Sequence, residues 1–125
     1  MDTTVLIDHL RDAPAAQRLE DLLQRGDLAV TTPINIEEVV RGLRLSEEQT
    51  AATLIDALIV IPLGAKEAWR AGAWRRDHAA RGVTLSQTDC LIAAAAAESE
   101  AVLATGNPKH FPMTGVEVEH WPAGR

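Results

Sequence analysis

This chain has little to brace it beyond its own core. It holds one cysteine, Cys90, in 125 residues. A lone thiol excludes an internal disulfide and fits a reducing, cytoplasmic setting. Positive charge is also scarce: 12 Lys and Arg stand against 18 Asp and Glu, for a net charge of −6 and a pI near 5.1. That is the wrong sign for a protein that coats nucleic acid by bulk attraction, though a local metal and a few arginines would still let an acidic enzyme cut RNA. No apolar run is long enough to span a bilayer, so no membrane role is expected, and no basic-then-apolar signal segment opens the chain. There is no internal repeat and no Gly/Ser linker, so the expected organisation is one domain over residues 1–125. What is present is a 46% hydrophobic content, enough for a buried core.

Strand and helix signals alternate. Pro14 starts a helix through Leu22-Leu23 that Gly26 stops. Leu28 to Thr32 reads as a strand closed by Pro33, and Ile34 to Arg44 as a helix. Ser46 is expected to cap a helix reaching Leu58, followed by a buried strand at Ile59-Val60-Ile61. A helix over about 66–80 ends at Gly82, and Ser86 caps an alanine-rich helix to Glu98. Ala101 to Thr105 and Val116-Glu117-Val118 complete the strands. This alternation predicts an α/β fold with a mainly parallel sheet and helices on its faces, whose ligands collect at the carboxyl ends of the strands.

Acidic residues fall at that edge. Asp2 opens the chain, Glu38 follows a strand–helix junction, and Asp89 stands in the first turn of the alanine-rich helix. Each has an ordinary explanation: Asp2 as a helix N-cap, Glu38 as a solvated helix face, Asp89 as a first-turn acid beside the Ser86 cap. Gathered together, carboxylates repel one another unless a cation joins them, and a hard oxygen-liganded ion such as Mg²⁺ is the natural companion.

Four blocks, Asp-Thr-Thr-Val-Leu-Ile-Asp at 2–8, Glu-Val-Val-Arg-Gly-Leu at 38–43, Asp-Cys-Leu-Ile-Ala-Ala at 89–94 and Thr-Gly-Asn-Pro-Lys-His-Phe at 105–111, occur in order along the chain. Together with the Val-Glu-His-Trp-Pro ending, they resemble a PIN-domain protein of the VapC-type toxin ribonuclease group. The resemblance implies a PIN-like three-layer α/β/α fold and a Mg²⁺- or Mn²⁺-dependent endoribonuclease. It further implies a homodimer, neutralised by a small cognate antitoxin that places a basic side chain near the acids. By the same resemblance Asp2, Glu38 and Asp89 match the family's acidic cluster, with Asp2 and Asp89 on the metal and Glu38 binding it through water or orienting the attacking water. Thr4 matches a family hydroxyl, and Asn107 stands where many members carry a fourth acid.

Two departures carry consequences. Asn107, and His110 in place of a common Asp, leave fewer carboxylates, so a divalent ion is expected to bind weakly. Only Met1 precedes Asp2 where the family has an apolar strand, which predicts a weakened sheet and an Asp2 on a fraying end. These departures also open an alternative, a catalytically degenerate PIN fold kept as a protein-binding module.

Arg11 and Arg41 are candidate phosphate contacts at the rim, with His110 a weaker one. Lys66, Arg70, Arg75, Arg76 and Arg81 gather about one helix, whose Trp69 and Trp74 are expected to pack in the core. Cys90 reads as a small buried hydrophobe. A haloacid-dehalogenase-type phosphatase would need a second Asp where Thr4 stands, and a receiver domain would need a lysine where the chain has Ala104-Thr105-Gly106.

Overall fold

The computed structural model describes residues 1–11, 13–26 and 28–122. Helices α1 (Thr3–Arg11) and α2 (Ala13–Gln24) come first, followed by β1 (Val30–Thr31) and α3 (Pro33–Arg41). A 3₁₀ turn (Leu45–Glu47), α4 (Glu48–Asp56), β2 (Ile59–Val60), α5 (Ala65–Ala80) and α6 (Gln87–Glu98) lead to β3 (Leu103–Thr105). A second 3₁₀ turn (Pro108–His110) precedes β4 (Val118–His120).

The strands are parallel and form two halves, β1 with β2 and β3 with β4. The first two residues join them. The Met1 nitrogen donates to the Val30 carbonyl at 2.7 Å, and the Asp2 N–H donates to the Ala104 carbonyl at 2.9 Å. Residues 1 and 2 therefore occupy the place between β1 and β3. The expectation that Asp2 lies on a fraying end is corrected by this bond and by burial, which leaves Asp2 only 7% exposed. From Asp2 the chain turns directly into α1, whose first amides at Val5 and Leu6 donate back to the Asp2 carbonyl.

Two main cores flank the strands, as three layers require. One holds Leu6, Leu19, Val39 and Leu54 from the first four helices with Ala29 and Leu58. The other holds Cys90, Ile92, Ala93 and Ala94 of α6 with Leu85, Leu103, Phe111 and Met113. Positions 92–96 of α6 are buried without a break, so the helix is apolar all round and central. Its alanines add no bulk, and Ala71 of α5 packs into the same core.

Four readings of the sequence need correction. β2 is not buried: Ile59 and Val60 are 48% and 40% exposed, because β2 pairs only with β1 and lies at the sheet's edge. Ser46 does not cap α4; it lies inside the 3₁₀ turn, where the Glu47 carboxylate accepts the Arg44 N–H instead. The last strand lies at 118–120, with Leu103 opposite Val118. Trp69 is 84% exposed and outside the core, whereas Trp74 is partly buried against it.

Candidate active site

Asp2 is a buried carboxylate held by neutral donors. Its Oδ1 accepts the Thr3 N–H at 2.8 Å. Its Oδ2 accepts the Thr105 hydroxyl at 2.7 Å and, at 3.3 Å, the Thr4 hydroxyl. A buried carboxylate is tolerable only when its lone pairs are satisfied in this way. Thr105, at the carboxyl end of β3, is fully buried, and its oxygen also accepts the Asn107 N–H at 3.0 Å. The Thr4 oxygen accepts the Gly106 N–H at 2.9 Å. Glycine at 106 leaves room for this approach: a Cβ there would crowd Thr4 Oγ1 at 3.3 Å. The Thr-Gly-Asn block is thus fastened to the Asp-Thr-Thr block hydroxyl by hydroxyl.

Glu38 reaches the same edge from α3. The Thr3 hydroxyl donates to Glu38 Oε1 at 2.6 Å, a length expected for a hydroxyl on an ionised acceptor. Thr3 in turn accepts the side-chain amide of Asn35 at 3.1 Å. Asn35 belongs to the cap of α3: the Thr32 hydroxyl accepts the Asn35 N–H, and Asn35 Oδ1 accepts both the N–H and the hydroxyl of Thr32. The junction of β1 and α3 therefore fixes where Glu38 stands.

Asp89 approaches from α6, capped by Ser86, whose oxygen accepts the Asp89 N–H at 3.1 Å. The Asp89 side chain is 27% exposed and faces His110, with 3.8 Å between Oδ2 and Nδ1. Asn107 lies with Thr4, Ile7, Asp8 and Gly106 around an open cleft of about 250 Å³. Asp2, Thr4, Glu38 and Asn107 thus fall in one hydrogen-bonded assembly, and Asp89 with His110 forms a separate pair. Among the described residues, no three His, Cys, Asp or Glu side chains stand close enough to make a metal cage.

The arginines expected at the rim are engaged elsewhere. Arg11 binds Glu47 through two bonds, of 2.9 and 3.0 Å, and a phosphate there would have to displace a carboxylate. That pairing holds the Glu47 carboxyl at about 2, with the Arg11 hydrogen bond as the main cause and the Arg44 N–H second. Arg41 pairs with Glu37 one turn away on exposed surface. On α5, Arg70 pairs with Glu98 at 2.9 Å and stacks over Trp74, and Arg75 donates to the Leu85 carbonyl at 3.2 Å. Cys90 is fully buried, which pushes its thiol pKa up and leaves it inert.

Three residues that the sequence reading passed over matter most here: Thr3, Asn35 and Thr105. The only signal was their place beside recognised positions. Thr3 separates Asp2 from Thr4, Thr105 opens the Thr-Gly-Asn block, and Asn35 lies three residues before Glu38.

Acids and hydroxyls at the carboxyl ends of a parallel sheet, within a three-layer α/β fold, define a PIN domain, and the PIN-domain sequence pattern matches residues 1–114. The chain belongs to the PIN-domain family, in its VapC-type group. Ribonuclease VapC19 of Mycobacterium tuberculosis is 33% identical over 121 residues, covering 90% of this chain and 91% of the relative. Ribonuclease VapC10 of the same organism is 34% identical over 114 residues, covering 90% and 85%. Among solved structures, the DNA-bound VapBC of Salmonella typhimurium superposes with a TM-score of 0.79 at 25% identity, over 96% of this chain and 95% of that one. A toxin–antitoxin complex from Klebsiella pneumoniae matches with a TM-score of 0.73 at 27% identity, over 92% of each chain.

Proposed function

We propose that this protein is a Mg²⁺- or Mn²⁺-dependent endoribonuclease toxin, restrained by a small cognate antitoxin. The observation that carries the reading is the pairing of Asp2 and Glu38 through Thr3 at the carboxyl ends of the strands. Relatives named as ribonucleases and neighbours solved as toxin–antitoxin complexes support it. The donor set fits a hard cation, because carboxylate and hydroxyl oxygens face the edge and no soft ligand does. Mg²⁺ is commonly held by one or two carboxylates and keeps several waters, so a closed cage of three acids is not required. Asp2 and Asp89 would hold it, and it would supply charge neutralisation to the phosphodiester and acidify a bound water.

The chain's own groups do the positioning. Thr105, Thr4 and the Thr3 amide fix both oxygens of Asp2, so its carboxylate cannot swing away from the edge. Glu38 is anchored at Oε1 by Thr3, which leaves Oε2 to accept a hydrogen bond from the attacking water and align it with the phosphorus. Asn107, in the cleft with Thr4, offers an amide where a carboxylate would repel the phosphate. The Glu38 and Asp89 carboxylates would accept the basic side chain of an antitoxin. A separate groove between α1, α2 and α4 has Leu19, Leu54 and Leu58 at its floor and His9, Glu20 and Thr53 among its lining.

The test is cleavage of labelled single-stranded RNA by the purified protein with Mg²⁺ or Mn²⁺, with and without EDTA. Cleavage is expected to require the ion, and Asp89→Asn is expected to lower it at least about a hundredfold, the scale for loss of a group acting in the transition state. The circular dichroism spectrum should be unchanged. Cleavage that survives EDTA, or an Asp89→Asn variant with full activity, refutes the reading. Absence of cleavage by the wild-type protein, with retained binding of a helical peptide, would instead support the degenerate protein-binding module.

A further inference from the structure

We infer that Asn35 and Thr3 form a directional hydrogen-bond relay that locks Glu38 as an acceptor, making both of them positioning residues for the site; the role of Glu38 rests on the nuclease reading above. The direction of each bond can be worked out from groups that have no choice. A backbone N–H can only donate, and the Thr32 N–H points at Asn35 Oδ1 at 3.3 Å. The Thr32 hydroxyl uses its lone pair to accept the Asn35 N–H, so its hydrogen goes to the same Oδ1 at 2.8 Å. Two donors on one atom fix the amide's orientation. Asn35 Nδ2 must therefore face Thr3, and an NH₂ group can only donate.

The Thr3 oxygen is in this way made an acceptor on one side, and its single hydrogen is sent the other way, onto Glu38 Oε1 at 2.6 Å. Asn35 is fully buried, which keeps water from offering it other partners. The relay has one polarity. It begins at the end of β1, passes through the α3 cap, and delivers a proton donor to one oxygen of Glu38 while leaving the other free. Among the described residues, Thr3 is the one hydrogen-bond donor to that carboxylate. The relay thus does what a helix cap alone does not: it fixes the rotation of the Glu38 carboxylate, with one oxygen held and the other left to accept.

Asn35→Asp reverses the polarity with little change of shape but adds a buried charge, so the uncharged pair Thr3→Val and Thr3→Ser separates the two effects. In Asn35→Asp both donors from Thr32 keep their acceptor, but the second oxygen now draws the Thr3 hydrogen away from Glu38. Thr3→Val removes the donor, and Thr3→Ser keeps it. With single-stranded RNA and Mg²⁺, Asn35→Asp and Thr3→Val are expected to lower kcat by about tenfold or more, the scale of one lost bond to a charged group, with KM within about twofold. Thr3→Ser should retain most of kcat. A second measurement needs no substrate: the Glu38 side-chain carboxyl ¹³C resonance of the metal-free protein should shift in Asn35→Asp and Thr3→Val and stay in place in Thr3→Ser.

A purely structural role would lower the melting temperature while leaving kcat per folded molecule and the Glu38 resonance unchanged, and that result overturns the relay. So does a kcat loss in Thr3→Ser as large as in Thr3→Val. If the wild-type protein cleaves no RNA, the nuclease reading fails, while the carboxyl resonance still decides for or against the relay.

Discussion

At Thr105 one hydroxyl joins two distant parts of the chain. It donates to Asp2 and accepts from Asn107, and no solvent reaches it. Thr105→Val keeps the shape but leaves a buried carboxylate oxygen with only the long Thr4 contact and strands the Asn107 N–H. The expected destabilisation is about 2 kcal/mol, read as a lower urea midpoint at unchanged slope. A loss below about 0.5 kcal/mol would mean that the Asp2 oxygen finds another donor. That Asp2, Glu38 and Asp89 stand at or just past junctions where a strand or loop hands over to a helix was legible from the neighbouring strand and helix signals. Thr3 and Thr105 were not, because their partners lie 35 and 103 residues away, and a threonine beside an acid is common in any turn. Burial of Asp2 was illegible for the same reason: it depends on Ala104, at the other end of the chain.

Local chemistry governed how well each element could be read. Ser86 with Asp89 three residues on was legible as a cap, and the structure has that bond. Thr32 caps α3 by the same logic, but Pro33 drew the eye as a strand terminator when it is the first residue of the helix. Ser46 failed as a cap because Arg44 and Glu47 satisfy each other first and wind the segment into a 3₁₀ turn. The pairing of Glu47 with Arg11 ties that turn to α1 and has a pH signature. The Glu47 carboxyl is held below its ordinary 4.5, at about 2, in the folded protein. Its contribution to stability is therefore complete above about pH 4.5 and is lost as pH falls from there through about 2. Acid unfolding of Glu47→Gln should lack this component, and its stability should converge with wild type near pH 2. Parallel curves across the whole range would show that the pair is not coupled to folding.

In the molecule as a whole, the alternating pattern of strand and helix was enough to give three layers and a parallel sheet. It did not reveal that the sheet is two pairs of strands joined through residues 1 and 2, since two residues leave no periodicity to detect. The exposure of β2 also escaped, because an apolar triplet reads as buried until its neighbours are counted. If residues 1 and 2 are a true member of the sheet, the Asp2 amide will exchange with solvent as slowly as the amides of β3, through opening of the whole fold. Exchange within seconds would instead place them on a loose end.

Asp2 is bonded to the sheet through its backbone and to the acidic edge through its side chain, whereas Asp89 hangs from a helix that its own cap completes. Inactivating changes at the two acids therefore differ in kind. If the proposed function holds, a lesion at Asp89 would leave an inert but intact protein, one that could still occupy an antitoxin and so disturb the balance between poison and antidote. A lesion at Asp2 would keep the backbone bond to Ala104 but take the acceptor from Thr105 and Thr4 beside the join, so the same change would cost stability as well as any activity.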